Sequence, residues 1–123
     1  MTVAAHEQVF VKVNAPVDRG AASLISALSS FQKLQTIESC EDLKGWAWVC
    51  FVYGEFWDKP CKELAPFVLE FLGPRLAREF GDRIKISLEI TEAGTVRAEM
   101  AVNHGTISAV VNFLNKLSEE RPD

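Results

Sequence analysis

The side chains able to do covalent or metal chemistry are few in this chain and far apart. They are three cysteines, Cys40, Cys50 and Cys61, and two histidines, His6 and His104. A nucleophilic thiol needs a base beside it or a lowered pKa to supply thiolate near neutral pH. Cys61 follows Pro60, which fits the first turn of a helix because its missing N–H would be unpaired there anyway. The positive end of that helix would favour a Cys61 thiolate, but no histidine stands near it in sequence. His104, next to Gly105, reads as part of a turn or cap, and His6 falls in a loose tail. A zinc centre needs about four converging ligands. Cys40 and Cys50 flank one short turn and could approach each other, yet the inventory does not complete a set. Gly73, Gly81, Gly94 and Gly105 each punctuate a separate boundary, so no glycine-rich phosphate loop is present. The expectation is a protein without catalytic residues, metal or cofactor.

Composition bounds what these residues sit in. The chain has 123 residues, 48% hydrophobic and 24% charged, values ordinary for one globular domain spanning residues 1–123. Its ends, residues 1–7 and 118–123, read as loose. Seventeen acidic against thirteen basic side chains give a net charge of −4, which speaks against a general nucleic-acid binder. No apolar run approaches the roughly 20 residues of a membrane-spanning helix. An odd cysteine count, no CxxC pair and no signal-like N-terminus together predict reduced thiols and a cytoplasmic location.

The elements follow from hydrophobic periodicity. Residues Val9–Asn14 alternate, with valines on one face and Phe10, Lys12 and Asn14 on the other, a strand that Pro16 should end. Asp18 suits the N-cap of a helix over about Arg19–Phe31, striped by Ala21, Leu24, Ile25 and Leu28. Leu34–Cys40 reads as a second strand and Trp46–Tyr53 as a third, apolar on both faces and therefore interior. A helix from Pro60 carries Leu64, Phe67, Val68, Phe71 and Leu72, and Gly73-Pro74 should kink or break it before Gly81. Ile84–Ile90 and Val96–Val102 alternate as a hairpin, and Thr106–Leu117 repeats at helical spacing.

This order, β-α-β-β-α-β-β-α, matches the ferredoxin-like split βαβ plan with one added strand and helix. The expected fold is α+β: a five-stranded, mostly antiparallel sheet with helices mainly on one face. The other face would carry Phe10, Lys12, Lys85 and Arg97. The row Trp46, Trp48, Cys50 either joins them or lies under the helices in place of Ala47, Val49, Phe51 and Tyr53. With the tryptophans it is an aromatic and charged patch of the kind that marks an interface. The loop Gly54–Lys59 adds Phe56 and Trp57 among the carboxylates Glu55, Asp58 and Glu63, and aromatic residues often anchor protein contacts.

Two stretches resemble a known family. Lys44-Gly45-Trp46-Ala47-Trp48-Val49-Cys50-Phe51 resembles the octapeptide of the RNA recognition motif, and Val9-Phe10-Val11-Lys12-Val13-Asn14 resembles its companion hexapeptide. The resemblance covers about residues 8–72. It implies that Phe10, Trp46 and Trp48 would stack on bases, with Lys44 and Lys12 near phosphates. The acidic balance, the long second helix and the added strand and helix depart from that pattern. The Thr-Ile-Glu-Ser-Cys and Trp-Val-Cys-Phe segments also resemble small bacterial proteins without an assigned activity.

The function predicted from the residues is a small non-catalytic binding module. It would engage a protein partner or a second copy of itself through the open sheet face and the 54–59 loop. A bacterial accessory factor or a phage-type inhibitor that covers a basic surface would fit its charge. Single-stranded RNA or DNA binding through the same aromatics is the alternative.

Overall fold

The computed structural model of the chain describes residues 8–10, 16–41, 44–55 and 59–121. Two short strands, β1 (Gln8–Phe10) and β2 (Pro16–Asp18), pair only with each other, with Phe10 opposite Pro16. The main sheet is built from two hairpins. β3 (Leu34–Glu41) pairs with β4 (Trp46–Tyr53), and β5 (Ile84–Ile90) pairs with β6 (Val96–Asn103). All pairings are antiparallel, and the strand order across the sheet is β3-β4-β6-β5.

The five-stranded ferredoxin-like arrangement, with its β-α-β-β-α-β-β-α order, is therefore overturned: among the described residues the main sheet has four strands. Of the strand expected over Val9–Asn14, Val9 and Phe10 lie in β1, which pairs with β2 and not with the main sheet, and the rest lies outside the described residues. Alternating valines specify which face of a strand is apolar but not which strand it pairs with. Pro16 stands inside β2 rather than ending a strand, which costs little in a ribbon where both strands are edges. The place expected for the first strand, between β4 and β5, is taken by β6. Packing explains this choice. Ala98, Met100 and Val102 of β6 are fully buried, whereas along β5 burial fades from Ile84 to Ile90, which is 76% exposed. The strand with the completely buried row belongs in the interior, and its tight hairpin leaves β5 at the edge.

The four other strand predictions hold closely. β4 has the predicted bounds, and its inner row, Ala47, Val49, Phe51 and Tyr53, is buried. The turn before it places Gly45 at φ 89°, a conformation that favours glycine. The His104 N–H donates to the Gly45 carbonyl at 2.8 Å, tying the end of β6 to this turn. At the sheet edge, β3 carries a bulge between Thr36 and Glu38, and Ile37 within it is 51% exposed.

The helices cover one face of the sheet, as expected. α1 (Arg19–Leu28) buries Ala21, Leu24, Ile25 and Leu28. α4 (Ile107–Glu120) packs against α1 and buries Val110, Leu114 and Leu117. Between β4 and β5 runs a composite helix: α2 (Leu64–Pro66), a π-helical stretch Phe67–Leu72, and α3 (Gly73–Phe80). Gly73-Pro74 does not break it. Instead the Gly73 N–H donates to the Val68 carbonyl five residues back, a wider turn at the point where Pro74 has no N–H to donate and its ring crowds the preceding turn. A Cβ on Gly73 would stand 2.5 Å from that carbonyl oxygen, so glycine is what permits the close approach. The π turn aims Phe67 inward, where its ring stacks on Tyr53 at 3.8 Å and meets the edge of Phe31 at 5.4 Å. These rings and Phe51, Leu72, Leu76, Met100 and Leu114 form one core. No helix among the described residues is long and apolar enough to cross a membrane.

Candidate functional site: the bare face of the sheet

Alternation along the strands decides which side chains face away from the helices. With Ala47, Val49, Phe51 and Tyr53 turned inward, Trp46, Trp48, Cys50 and Val52 point to the other side. Register extends this face across all four strands. Trp48 lies between Cys40 of β3 and Ala101 of β6, and Ala101 is opposite Lys85 of β5. One row further along the sheet, Cys50 lies between Glu38 and Glu99, and Glu99 is opposite Ser87. The face therefore has two halves of different chemistry.

The first half is aromatic. Trp46 and Trp48 are both half-buried, and the methyl group of Ala101 is too short to cover the neighbouring indole. The Lys85 ammonium stands 4.7 Å from the centre of the Trp46 ring, a cation–π contact that holds the lysine stem along the sheet. Lys44, exposed, begins the turn that leads into this half.

The second half is ionic. Arg97 donates from Nε to Glu89 on β5 and pairs through Nη1 with Glu38 on β3 at 2.8 Å, so its guanidinium reaches across the two strands between them. The hydrogen bond to Glu89 raises the pKa of Arg97 further and keeps it charged. Beneath this bridge Cys50 is completely buried although it belongs to the bare face. Burial pushes the Cys50 thiol up to about 12; Arg97 opposes this, and Glu99, Glu38 and Glu89 add to it. Cys50 is thus a neutral thiol at physiological pH. Its Sγ and carboxylate oxygens of Glu89 and Glu99 lie within 4.8 Å of one another. Sequence reasoning missed this cluster, which only the β4–β6–β5 register brings together. Arg97 already supplies positive charge to it, and a protonated thiol is a poor metal ligand.

Of the residues predicted to form the binding surface, Trp46, Trp48, Lys85 and Arg97 come together on the bare face. Arg97 is committed to Glu38 and Glu89 rather than reaching outward. Phe10 lies in β1, outside the main sheet, and its side chain is not among those described. Lys12, Phe56 and Trp57 lie outside the described residues, as do His6 and Asp58. The Asp18 side chain proposed as a helix cap is likewise outside the described set.

The catalytic candidates are not assembled. The helix expected from Pro60 begins at Leu64, so Cys61 is exposed on the preceding turn and gains no first-turn helix field. His104, exposed, has its Nε2 3.9 Å from Glu41. Cys40 and Cys50 lie on neighbouring strands, and none of the three cysteines is in a disulfide. Comparison with protein-family models, curated proteins and solved structures gives no match for this chain.

Proposed function

We propose that this domain is a non-catalytic protein-interaction module that docks a protein partner, or a second copy of itself, on the bare face of its sheet. One observation carries the reading. Among the described residues helices cover one face only, and the other presents two half-exposed tryptophans beside a small alanine and an ionic patch. Large rings set next to a shallow depression are the usual anchors of a protein contact. The neighbouring carboxylates Glu38, Glu89 and Glu99 outnumber Arg97, so a partner with an apolar centre and a basic rim complements the face. An accessory or inhibitor protein that covers a basic surface fits this chemistry and the net charge of −4. Three cysteines outside any disulfide suit a reducing cytoplasm, where we place the protein.

Single-stranded nucleic acid is the competing ligand, because Trp46 and Trp48 present rings from one strand. The carboxylates disfavour it, since phosphates bring more negative charge to the same patch.

A photo-crosslinking residue at Ala101, with an equivalent at the exposed Ala77 of α3 as the control, decides between them. Crosslinks to a protein or to a second copy from position 101 and not from 77 are expected. Crosslinks to nucleic acid, or the same products from both positions, would overturn the proposal.

A further inference from the structure

A second site lies on the helix side of the sheet, at the end of β4, away from the bare face. Lys33, Tyr53, Lys62, Glu63, Pro66 and Arg121 line a recess of about 310 Å³ there. In a chain of net charge −4 this is an unusual place: three cations stand against one carboxylate. The carboxylate is already engaged: Glu63 Oε2 accepts the Glu55 N–H at 2.8 Å, and its Oε1 forms a loose ion pair with Lys33 Nζ at 3.7 Å. Lys62 and Arg121 make no ion pair among the described residues. Arg121 is instead held by rings, its guanidinium 4.7 Å from the centre of Phe71 and 5.7 Å from that of Phe67. Aromatic rings fix the plane of a guanidinium while leaving its N–H edges free to donate, the arrangement suited to an oxyanion.

We propose that this recess binds a phosphomonoester dianion. Charge selects the ligand. Three cations less one carboxylate leave two positive charges in excess, which matches a phosphomonoester above its second pKa of about 6 and not a simple carboxylate. The recess is larger than a phosphate group alone requires, and Tyr53 and Pro66 give it walls against which an organic substituent can lie. Arg121 would grip two phosphate oxygens through its fork, with Lys62 and Lys33 closing from the opposite side.

The test is an NMR titration of the whole protein with inorganic phosphate and with phenyl phosphate, and with acetate at matched ionic strength. Both phosphates should give saturable shifts at Lys33, Lys62 and Arg121, stronger for phenyl phosphate and strengthening as pH rises through about 6. Lys62→Glu should weaken binding by about tenfold or more, whereas Lys116→Glu, on the exposed side of α4, should leave it unchanged. Shifts that never saturate, equal binding of acetate, or equal weakening by both substitutions would overturn the proposal.

Discussion

Cys50 offers a direct measure of how closed the ionic half of the bare face is. In the folded protein its thiol is completely buried, and burial with the nearby carboxylates raises its pKa from 9.0 to about 12. In the unfolded chain it titrates near the ordinary value. As pH rises, the unfolded chain loses this proton first, so the folded state loses relative stability. The contribution is intact below pH 9, falls between 9 and 12, and is fully lost above 12. The slope within that window is about 1.4 kcal/mol per pH unit, which gives a loss of about 2 kcal/mol at about pH 10.5. Cys50→Ala removes the titration at the cost of a small cavity, about 1 kcal/mol at every pH. The two effects have opposite signs and different pH dependence. The variant is expected to be the less stable protein by about 1 kcal/mol near pH 8, and the more stable one by a similar amount near pH 10.5. Urea unfolding followed by tryptophan fluorescence, under reducing conditions, reads both midpoints. Every other ionisable group is common to both proteins and cancels in the difference. A stability difference that stays constant with pH would refute the buried thiol and the closed face above it.

Two further substitutions probe the elements around the sites. Gly73→Ala gains about 1 kcal/mol of helix propensity but sets a methyl group against the Val68 carbonyl, an overlap that costs about 1–3 kcal/mol; a lower urea midpoint is expected, and a higher one would show that the π turn relaxes at no cost. Arg97→Gln leaves Glu38, Glu89 and Glu99 facing one another and should lower stability by about 1–3 kcal/mol, with part of the loss recovered in high salt because the Arg97 side chain is 24% exposed. A loss that salt does not change would assign the role of Arg97 to packing.

How much of this was legible in the sequence differs from element to element. Trp46–Tyr53 announces itself, because eight residues apolar on both faces suit only an interior strand. The hairpin of Ile84–Ile90 and Val96–Asn103 is equally plain from strict alternation around a glycine turn. What alternation cannot specify is the order of strands. Val9–Asn14 and Val96–Val102 carry similar patterns, and the position beside β4 goes to the second because its hairpin partner is already at hand. The π turn was signposted by Gly73-Pro74 but misread: the pair marks a widened turn rather than a break. On the candidate site, strand parity separated Trp46 and Trp48 from the inner row of β4. The Arg97 bridge was not legible, because Glu38, Glu89 and Arg97 lie on three different strands and meet only through the β3-β4-β6-β5 register.

The bulge at Ile37 has a consequence for how the protein behaves at high concentration. An open sheet can grow at its margins as well as bind on its face, and each exposed strand is a template for a neighbour's backbone. At the β3 margin an identical chain approaching side by side would meet a ladder whose spacing is interrupted between Thr36 and Glu38. The register that fits residues before the interruption fails for those after it, and only short runs can zip together. Lateral growth into fibres is discouraged there, and the Glu38 carboxylate beside the interruption adds a charge to the strand centre. The apolar side chain displayed at that spot can thus be carried at little risk of polymerisation.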